Sequence, residues 1–150
     1  MQAALPSLSP REAIADALYR AVLALDTADL ALLNSSLTPD VLFDMDGHTT
    51  EGLDAFQSQL YDKISKLDTT HFVNNLRINF VEGASSATMT ASVLSQHYRP
   101  NTGKVPGATY FMGGSLYFID VVKDDTEGLW KIKSWRMKVT WTTGDPDVMA

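Results

Sequence analysis

The order of the periodic segments along the chain constrains its fold more than any other feature of the sequence. Apolar residues recur at helical spacing over about 10–26 and 53–67, and a short helix is predicted between them, from Asp29 to Leu37. Four segments with strand-like alternation then follow one another, at about 71–81, 87–99, 108–122 and 129–141. Because helices come first and strands last, the pattern predicts an α+β fold and not repeated βαβ units.

Local signals mark the ends of these elements. Ser9 can cap the first helix, Pro10 suits its first turn, and Glu12 completes a capping box. A short strand is predicted from Val41 to Met45 and a polar loop from Gly47 to Gly52. These signals fix where the first helix starts and where the chain leaves the helical region.

Alternation within the long strands predicts which side chains share a face. In the first long strand one parity is apolar and holds Phe72, Leu76, Ile78 and Phe80. His71 falls on the opposite, more polar parity, together with Val73, Asn75, Arg77 and Asn79. In the second, an inward-looking series carries Ala87, Met89, Ala91, Val93 and His97. Gly113 and Gly114 predict a bulge or bend in the third.

The size and charge of the chain limit what it can be. Its 150 residues fit a single domain over 1–150, with predicted tails at 1–8 and 143–150. A net charge of −6 argues against a nucleic-acid partner, because binding to phosphates needs a surplus of Lys and Arg. No run of about 18 apolar residues and no signal-peptide pattern is present, so a soluble, cytoplasmic protein with no membrane partner is expected.

Six segments, taken in their order and spacing, resemble one known family. They are Leu25–Leu30, Leu37–Val41, Thr70–Asn75, Gly113–Tyr117, Gly128–Ile132 and Trp141–Asp145. Over about 10–147 the chain resembles the SnoaL-like branch of the nuclear transport factor 2-like superfamily, which includes polyketide cyclases, dehydratases and isomerases. The resemblance implies a cystatin-like α+β barrel, in which a cone-shaped, curved antiparallel sheet wraps around N-terminal helices and encloses a ligand pocket. The fold alone does not give the reaction.

Within this family the chain is also similar to the scytalone dehydratases, and that resemblance implies three pocket residues. Asp26 stands at the position of a helix-end aspartate, and His71 and His97 stand at the positions of two histidines. Three other pocket positions depart from the pattern. Two tyrosines that act on the substrate carbonyl through a water, and one asparagine, are replaced here by Leu25, Met45 and Ser115.

His71 and Asp26 each admit two interpretations. On a solvated face His71 would be an ordinary exposed histidine, whereas on the concave face of a curved sheet it would line the pocket. Asp26 could cap the second helix, or it could accept a hydrogen bond from His71 and fix the imidazole tautomer. A histidine held in this way can remove a proton next to a carbonyl, a step worth about 10²–10⁴-fold in rate.

The remaining candidates are donors or parts of the pocket wall. His97 is either a satisfied structural residue or a pocket donor, His48 is expected in an exposed loop, and Met45 is expected in the pocket wall. Candidate donors to an enolate oxygen, which could equally be ordinary strand residues, are Asn75, Tyr110, Tyr117 and Arg136. Residues expected in the core or at a subunit interface are Trp135, Trp141, Phe111 and Phe118. With no cysteine, no H-E-x-x-H and no phosphate loop, neither a metal nor a cofactor is expected.

The sequence therefore supports one leading function and one alternative. The leading hypothesis is a cofactor-free lyase or isomerase, of the dehydratase or cyclase type, acting on an enolisable cyclic secondary metabolite that is mostly apolar. His71, oriented by Asp26, would remove the proton, and His97 would protonate the leaving hydroxyl or hold a water. The alternative is a non-catalytic module of the same fold that binds a small molecule or assembles subunits. A homodimer is also predicted, because one parity of the last strand would expose an apolar row, Trp135, Met137, Val139 and Trp141.

Overall fold

The first helices begin where the sequence predicts. A computed structural model of the protein describes residues 1–150, with α1 at Pro10–Thr27 and α2 at Leu30–Ser36. The Glu12 backbone N–H donates to the Ser9 hydroxyl, and the Ser9 N–H donates to the Glu12 carboxylate, which is the predicted capping box.

A tight turn joins the two helices. Ala28 ends α1 in the left-handed conformation, with φ of 53°, and its N–H donates to the Ala24 carbonyl. Asp29 then caps α2, because its carboxylate accepts a hydrogen bond from the Leu32 N–H at 2.9 Å. Since Asp29 caps α2, the carboxylate of Asp26 is left free for another partner.

The rest of the chain builds one six-stranded sheet. Its strands are β1 Leu37–Met45, β2 His48–Glu51, β3 Asp68–Asn79, β4 Ser86–Tyr98, β5 Tyr110–Asp124 and β6 Leu129–Gly144. They lie in the order β2-β1-β6-β5-β4-β3, and only β1 and β6 run parallel. The predicted α+β fold with a curved, cone-like sheet is confirmed, although the sheet is mixed and not wholly antiparallel.

The polar loop predicted from Gly47 to Gly52 is instead the second arm of a hairpin. Asp46 and Gly47, with φ of 51° and 90°, form its two-residue turn, and Met45 pairs with His48. Two successive residues with positive φ give a turn whose twist matches that of the flanking strands, which explains why β2 forms here.

The third predicted helix changes pitch along its length. α3 covers Leu53–Phe56, a π-helical turn covers Gln57–Tyr61, and α4 covers Asp62–Ile64. A π turn inserts one extra residue into a helix and is frequent at functional sites. Residues of this segment form one side of the cavity described below.

A bulge in β3 corrects the predicted facing of that strand. The register slips by one residue between Asn74 and Arg77, and Asn75 at the bulge has a φ of 52°. Before the bulge His71 lies on the inner face, and Phe72 is 52% exposed on the outer face. After it the parity reverses, so that the residues packed against the core are Leu76, Ile78 and Phe80. The prediction that Phe72 shares the face of these three is therefore wrong.

A second bulge, at Thr140 in β6, lies opposite Gly114. Before this bulge the apolar row lines the inside of the curve: Trp135, Met137 and Val139. After it, Trp141 turns outward and is 47% exposed, and a Cβ at Gly114 would come within 2.3 Å of its indole Nε1. A bulge does accompany Gly113 and Gly114, as predicted, but on the partner strand. The apolar row predicted to face outward lies mainly inside.

The carboxyl-terminal residues also differ from the prediction. A tail is predicted from 143, but β6 continues to Gly144 and a 3₁₀ turn spans Pro146–Met149. The apolar side chain of Val148 is buried, and the Asp145 N–H donates to the Tyr110 carbonyl at 2.9 Å. Residues 1–8 form neither helix nor strand. None of the helices combines the length and hydropathy that a membrane-spanning helix requires.

Candidate active site

A cavity of about 410 Å³ lies inside the curve of the sheet. Its walls come from β1, the helical segment over 53–64, the inner faces of β3 to β6, and the 3₁₀ turn. One side is aromatic: Phe43 and Trp135 meet edge to face at 5.5 Å between ring centroids, and Phe56 stacks on Trp135 at 6.0 Å. The two inner histidines, His71 and His97, line the same cavity and add polar groups to it.

Asp26 and His71 form a hydrogen-bonded pair at the cavity wall. The Nδ1 of His71 lies 2.6 Å from Oδ1 of Asp26, and the His71 backbone N–H donates to Oδ2 at 2.9 Å. A carboxylate can only accept, so Nδ1 carries the proton and Nε2 keeps a free lone pair. Nδ1 is the ring atom of His71 that bonds within the protein, and His71 lines the cavity, so Nε2 is available to a molecule that binds there.

His97 sits next to His71 in a more buried setting. Its side chain is 4% exposed, its ring lies 5.4 Å from that of His71, and it stacks on Phe111 at 6.5 Å. Nδ1 of His97 contacts the Thr69 hydroxyl at 2.7 Å. Burial, and then the charge of His71, lower the pKa of His97 to about 4, with Asp26 opposing the shift. His97 is therefore uncharged at neutral pH.

Tyr117 supplies a further polar group. It is buried, it lines the cavity, and its ring packs edge to face on Trp135 at 5.1 Å. Burial raises the pKa of Tyr117 well above its usual value, and the negative charge of Asp26 raises it further. The phenol therefore keeps its proton at all physiological pH values.

The structure brings together most of the predicted site residues. Met45, His71, His97 and Tyr117 line the cavity, and Asp26 stands directly behind His71. Three residues that differ from the scytalone dehydratase-like pattern also line the cavity, namely Leu25, Met45 and Ser115. His48 is exposed, as expected, although it lies in a strand.

Three predicted donors lie outside the cavity, which is a correction. Asn75 is the bulge residue of β3, and its side chain is exposed beside Ser92. Tyr110, on the outer parity of β5, is 36% exposed. Arg136 points away from the inner row of β6, and its guanidinium lies 4.1 Å from the ring centroid of Phe118. In each case strand parity, or the bulge that resets it, directs the side chain outward.

Comparison with known proteins identifies the family. The model of the SnoaL-like domain matches residues 6–136 of the chain. The chain belongs to the SnoaL-like domain family. Terrestric acid biosynthesis cluster protein E from Penicillium crustosum is 50% identical to it over 140 residues, which cover 93% of this chain and 89% of that protein. The predicted resemblance is therefore confirmed.

Solved structures share this SnoaL-like fold. A protein from Novosphingobium aromaticivorans, provisionally named a scytalone dehydratase, is 25% identical with a TM-score of 0.74 over 90% of this chain and 87% of that one. The hexachlorocyclohexane dehydrochlorinase LinA-type3 from Novosphingobium barchaimii is 22% identical with a TM-score of 0.71 over 90% of this chain and 89% of that one. The second likeness shows the fold alone.

Sequence reasoning missed several parts of the SnoaL-like cavity. Trp135 lies in the core, as expected, but it and Phe111 also line the cavity, which was not expected. Thr69 drew no attention, although its position two residues before His71 places it on the same face of β3. Across the whole structure, no group of three or more His, Asp or Glu side chains is arranged to hold a metal ion.

Proposed function

We propose that this SnoaL-like protein is a cofactor-free lyase or isomerase that removes a proton next to a carbonyl. The observation that carries the proposal is the 2.6 Å hydrogen bond between Asp26 and His71, which leaves the Nε2 of His71 free at a largely apolar cavity. A carboxylate in this position stabilises the imidazolium that forms when the histidine takes a proton. The Penicillium crustosum relative is named for a biosynthesis cluster, which supports a role in secondary metabolism.

The reaction begins when Nε2 of His71 takes a proton from the carbon beside the carbonyl. The electron pair of that C–H bond forms the C=C bond of an enolate, and His97 and Tyr117 donate hydrogen bonds to its oxygen. Both donors are uncharged, since the pKa of His97 is about 4 and burial raises the pKa of Tyr117. Fixed neutral donors in a site of low polarity stabilise such an oxyanion without transferring a proton to it.

The enolate then leads to a lyase or an isomerase product. If the next carbon carries a hydroxyl, its C–O bond breaks, and the leaving hydroxide takes back the proton held by His71, so that water is released. If the proton returns to a different carbon, the double bond has migrated. An uncharged His97 is a poor acid, so we assign the return of the proton to His71 and not to His97.

The cavity sets the class of substrate. A volume of about 410 Å³ suits a small organic molecule. Aromatic and aliphatic walls favour a mostly apolar ring system, and the two histidines require one carbonyl oxygen and one acidic C–H close together. We therefore propose a cyclic, enolisable metabolite as the substrate.

Deuterium exchange tests the first step without knowledge of the natural substrate. 2-Tetralone, a bicyclic ketone with acidic α-hydrogens, is incubated with the protein in D₂O, and the loss of its α-proton NMR signals is followed. We expect exchange faster than in buffer with the wild-type protein and with His48→Ala, whose side chain is exposed, but not with His71→Ala. If the wild-type protein binds the ketone without accelerating exchange, the non-catalytic binding module is the better description.

The homodimer also stays a proposal. The apolar row that suggested it lies mainly inside the cavity, but Phe72, Leu116 and Trp141 are 52%, 38% and 47% exposed on the outer face of the sheet. Exposed apolar groups of this kind are suited to association. Light scattering at micromolar concentration checks it, and the mass of a single chain would contradict it.

A further inference from the structure

The two inner histidines each use Nδ1 for one hydrogen bond, but their partners differ in kind. His71 bonds to a carboxylate oxygen of Asp26, at 2.6 Å, and His97 bonds to the hydroxyl of Thr69, at 2.7 Å. A carboxylate can only accept a hydrogen bond, whereas a hydroxyl can donate one or accept one. The partner of His97 therefore leaves two tautomers to be distinguished.

Hydrogen-bond satisfaction distinguishes them. The Thr69 hydroxyl has no partner other than Nδ1 of His97. If Nδ1 carried the proton and donated to Thr69, the hydroxyl hydrogen would have no acceptor in a half-buried site, which is unfavourable. If Thr69 donates to Nδ1, the hydroxyl and Nδ1 are both satisfied, and the imidazole proton must sit on Nε2 of this cavity-lining residue.

The fold holds this contact in place. Thr69 and His97 are directly opposite each other in the pairing of β3 with β4. Side chains at paired positions on one face of an antiparallel sheet are close neighbours, so the strand register brings the hydroxyl to the ring. Phe111, stacked on His97 from β5, restricts rotation of the ring.

We propose that Thr69 is a positioning residue that holds His97 in the tautomer with its proton on Nε2, so that His97 donates to a substrate oxygen beside the base His71. The catalytic meaning of this inference rests on the proposed function, whereas the tautomer is a property of the free protein. The two imidazoles then have opposite roles: Nε2 of His71 accepts, and Nε2 of His97 donates. With ring centroids 5.4 Å apart, one ketone can meet both, through its α-hydrogen and its oxygen.

The tautomer is measured directly by two-bond ¹⁵N–¹H correlation NMR of the imidazole rings in uniformly ¹⁵N-labelled protein. We expect Nε2 of His97 to carry the proton in the wild-type protein and in Thr69→Ser, which keeps the hydroxyl. Thr69→Val keeps the shape and loses the donor, so we expect a mixture of tautomers. Thr70→Val is the matched control, because Thr70 is exposed on the other face of β3. A proton on Nδ1 of wild-type His97, or an unchanged tautomer in Thr69→Val, overturns the proposal.

The donor role is tested with 2-tetralone in the same samples. We expect the ketone to shift the Nε2 resonance of His97 in the wild-type protein and in Thr69→Ser, and its absence there overturns the donor role even if the tautomer is right. Where α-exchange is observed, we expect Thr69→Val to lower kcat about two- to fivefold, because only part of the protein then holds the donor tautomer, and Thr69→Ser to restore it, with little change in KM. A wild-type protein that shows the tautomer and the shift but no exchange keeps this inference and refutes the proposed lyase or isomerase.

Discussion

The two walls of the cavity that carry His71 and His97 are neighbours with different surroundings. On β3, His71 has a carboxylate from α1 at its Nδ1, which favours a positive ring after proton uptake. On β4, His97 has only a hydroxyl as partner, and burial lowers its pKa to about 4. In the proposed mechanism the same side chain thus serves as an acceptor on one wall and as an uncharged donor on the other. The partner, and not the residue type, divides the roles.

The position of each strand in the sheet explains the difference. β3 is an edge strand, so one row of its backbone N–H groups is free, and the N–H of His71 donates to Asp26 at 2.9 Å. One carboxylate therefore holds both the backbone and the ring of His71. β4 lies between β3 and β5, where its backbone is paired on both sides, and only a side chain remains to orient His97.

The largest effect is expected from removing the acceptor. His71→Ala deletes the base but leaves the cavity and the donors, so we expect the exchange rate of 2-tetralone to fall by about 10²–10⁴-fold. Because the His71 side chain lines a cavity but is nearly buried and pairs with Asp26, we expect the free energy of unfolding to fall by about 1–3 kcal/mol. Urea denaturation of the same sample checks this. An undiminished rate in the folded variant would show that the base lies elsewhere.

The burial of His97 on the second wall should change how the free energy of unfolding depends on pH. Between pH 6.5 and about 4, an unfolded chain binds a proton at His97 that the folded protein excludes, so acid favours unfolding. We expect His97 to contribute about 3 kcal/mol of stability above pH 6.5, lost as the pH falls through about 4. Urea denaturation from pH 7 to 4, compared with His97→Asn, isolates this slope from that of the carboxylates. Parallel slopes would mean that His97 is not buried as a neutral ring.

Strand alternation predicts which side chains face the cavity better on β4 than on β3. The inward series of β4 is regular, so the placement of His97 with Met89 and Val93 follows from period-two spacing and is found in the structure. On β3 the bulge at Asn75 reverses the parity, and alternation alone grouped the exposed Phe72 with Leu76, Ile78 and Phe80. A bulge depends on pairing with another strand, which a single sequence does not display. Asparagine adopts a positive φ more readily than most residues, and Asn75 has a positive φ in the structure. The asparagine itself was therefore the one local sequence signal for this bulge.

The pair at the centre of the site could not be derived from spacing. Asp26 and His71 are 45 positions apart, and the hydrogen bond between them depends on how α1 packs against the edge of the sheet. Only the resemblance of their local segments to a known family brought them together. For Tyr110 and Arg136, chemical type suggested a donor role, but the parity of β5 and β6 directs them outward.

Removing the charge of the Asp26 carboxylate measures how much His71 depends on its partner. Asp26→Asn keeps the size of the side chain and an acceptor oxygen but loses the charge that stabilises the imidazolium. We expect the exchange rate to fall about a hundredfold, less than for His71→Ala. Asp40→Asn is the control, because Asp40 is exposed and its ion pair with Lys133 is on the surface. A full rate in Asp26→Asn would mean that His71 works without its partner.

The smallest effect is expected from changing the donor at His97, and it is the one that distinguishes donation of a hydrogen bond from donation of a proton. His97→Gln can place an amide N–H near the position of Nε2, whereas His97→Asn is too short to reach it and removes the donor. A single neutral hydrogen bond contributes about 1–1.5 kcal/mol, so we expect His97→Asn to lower kcat about tenfold and His97→Gln to lower it less. If His97 acted as a protonated acid, neither amide could replace it, and both variants would lose activity to a similar, larger extent. Equal losses of a hundredfold or more would therefore remove the distinction between the two walls and return the role of acid to His97.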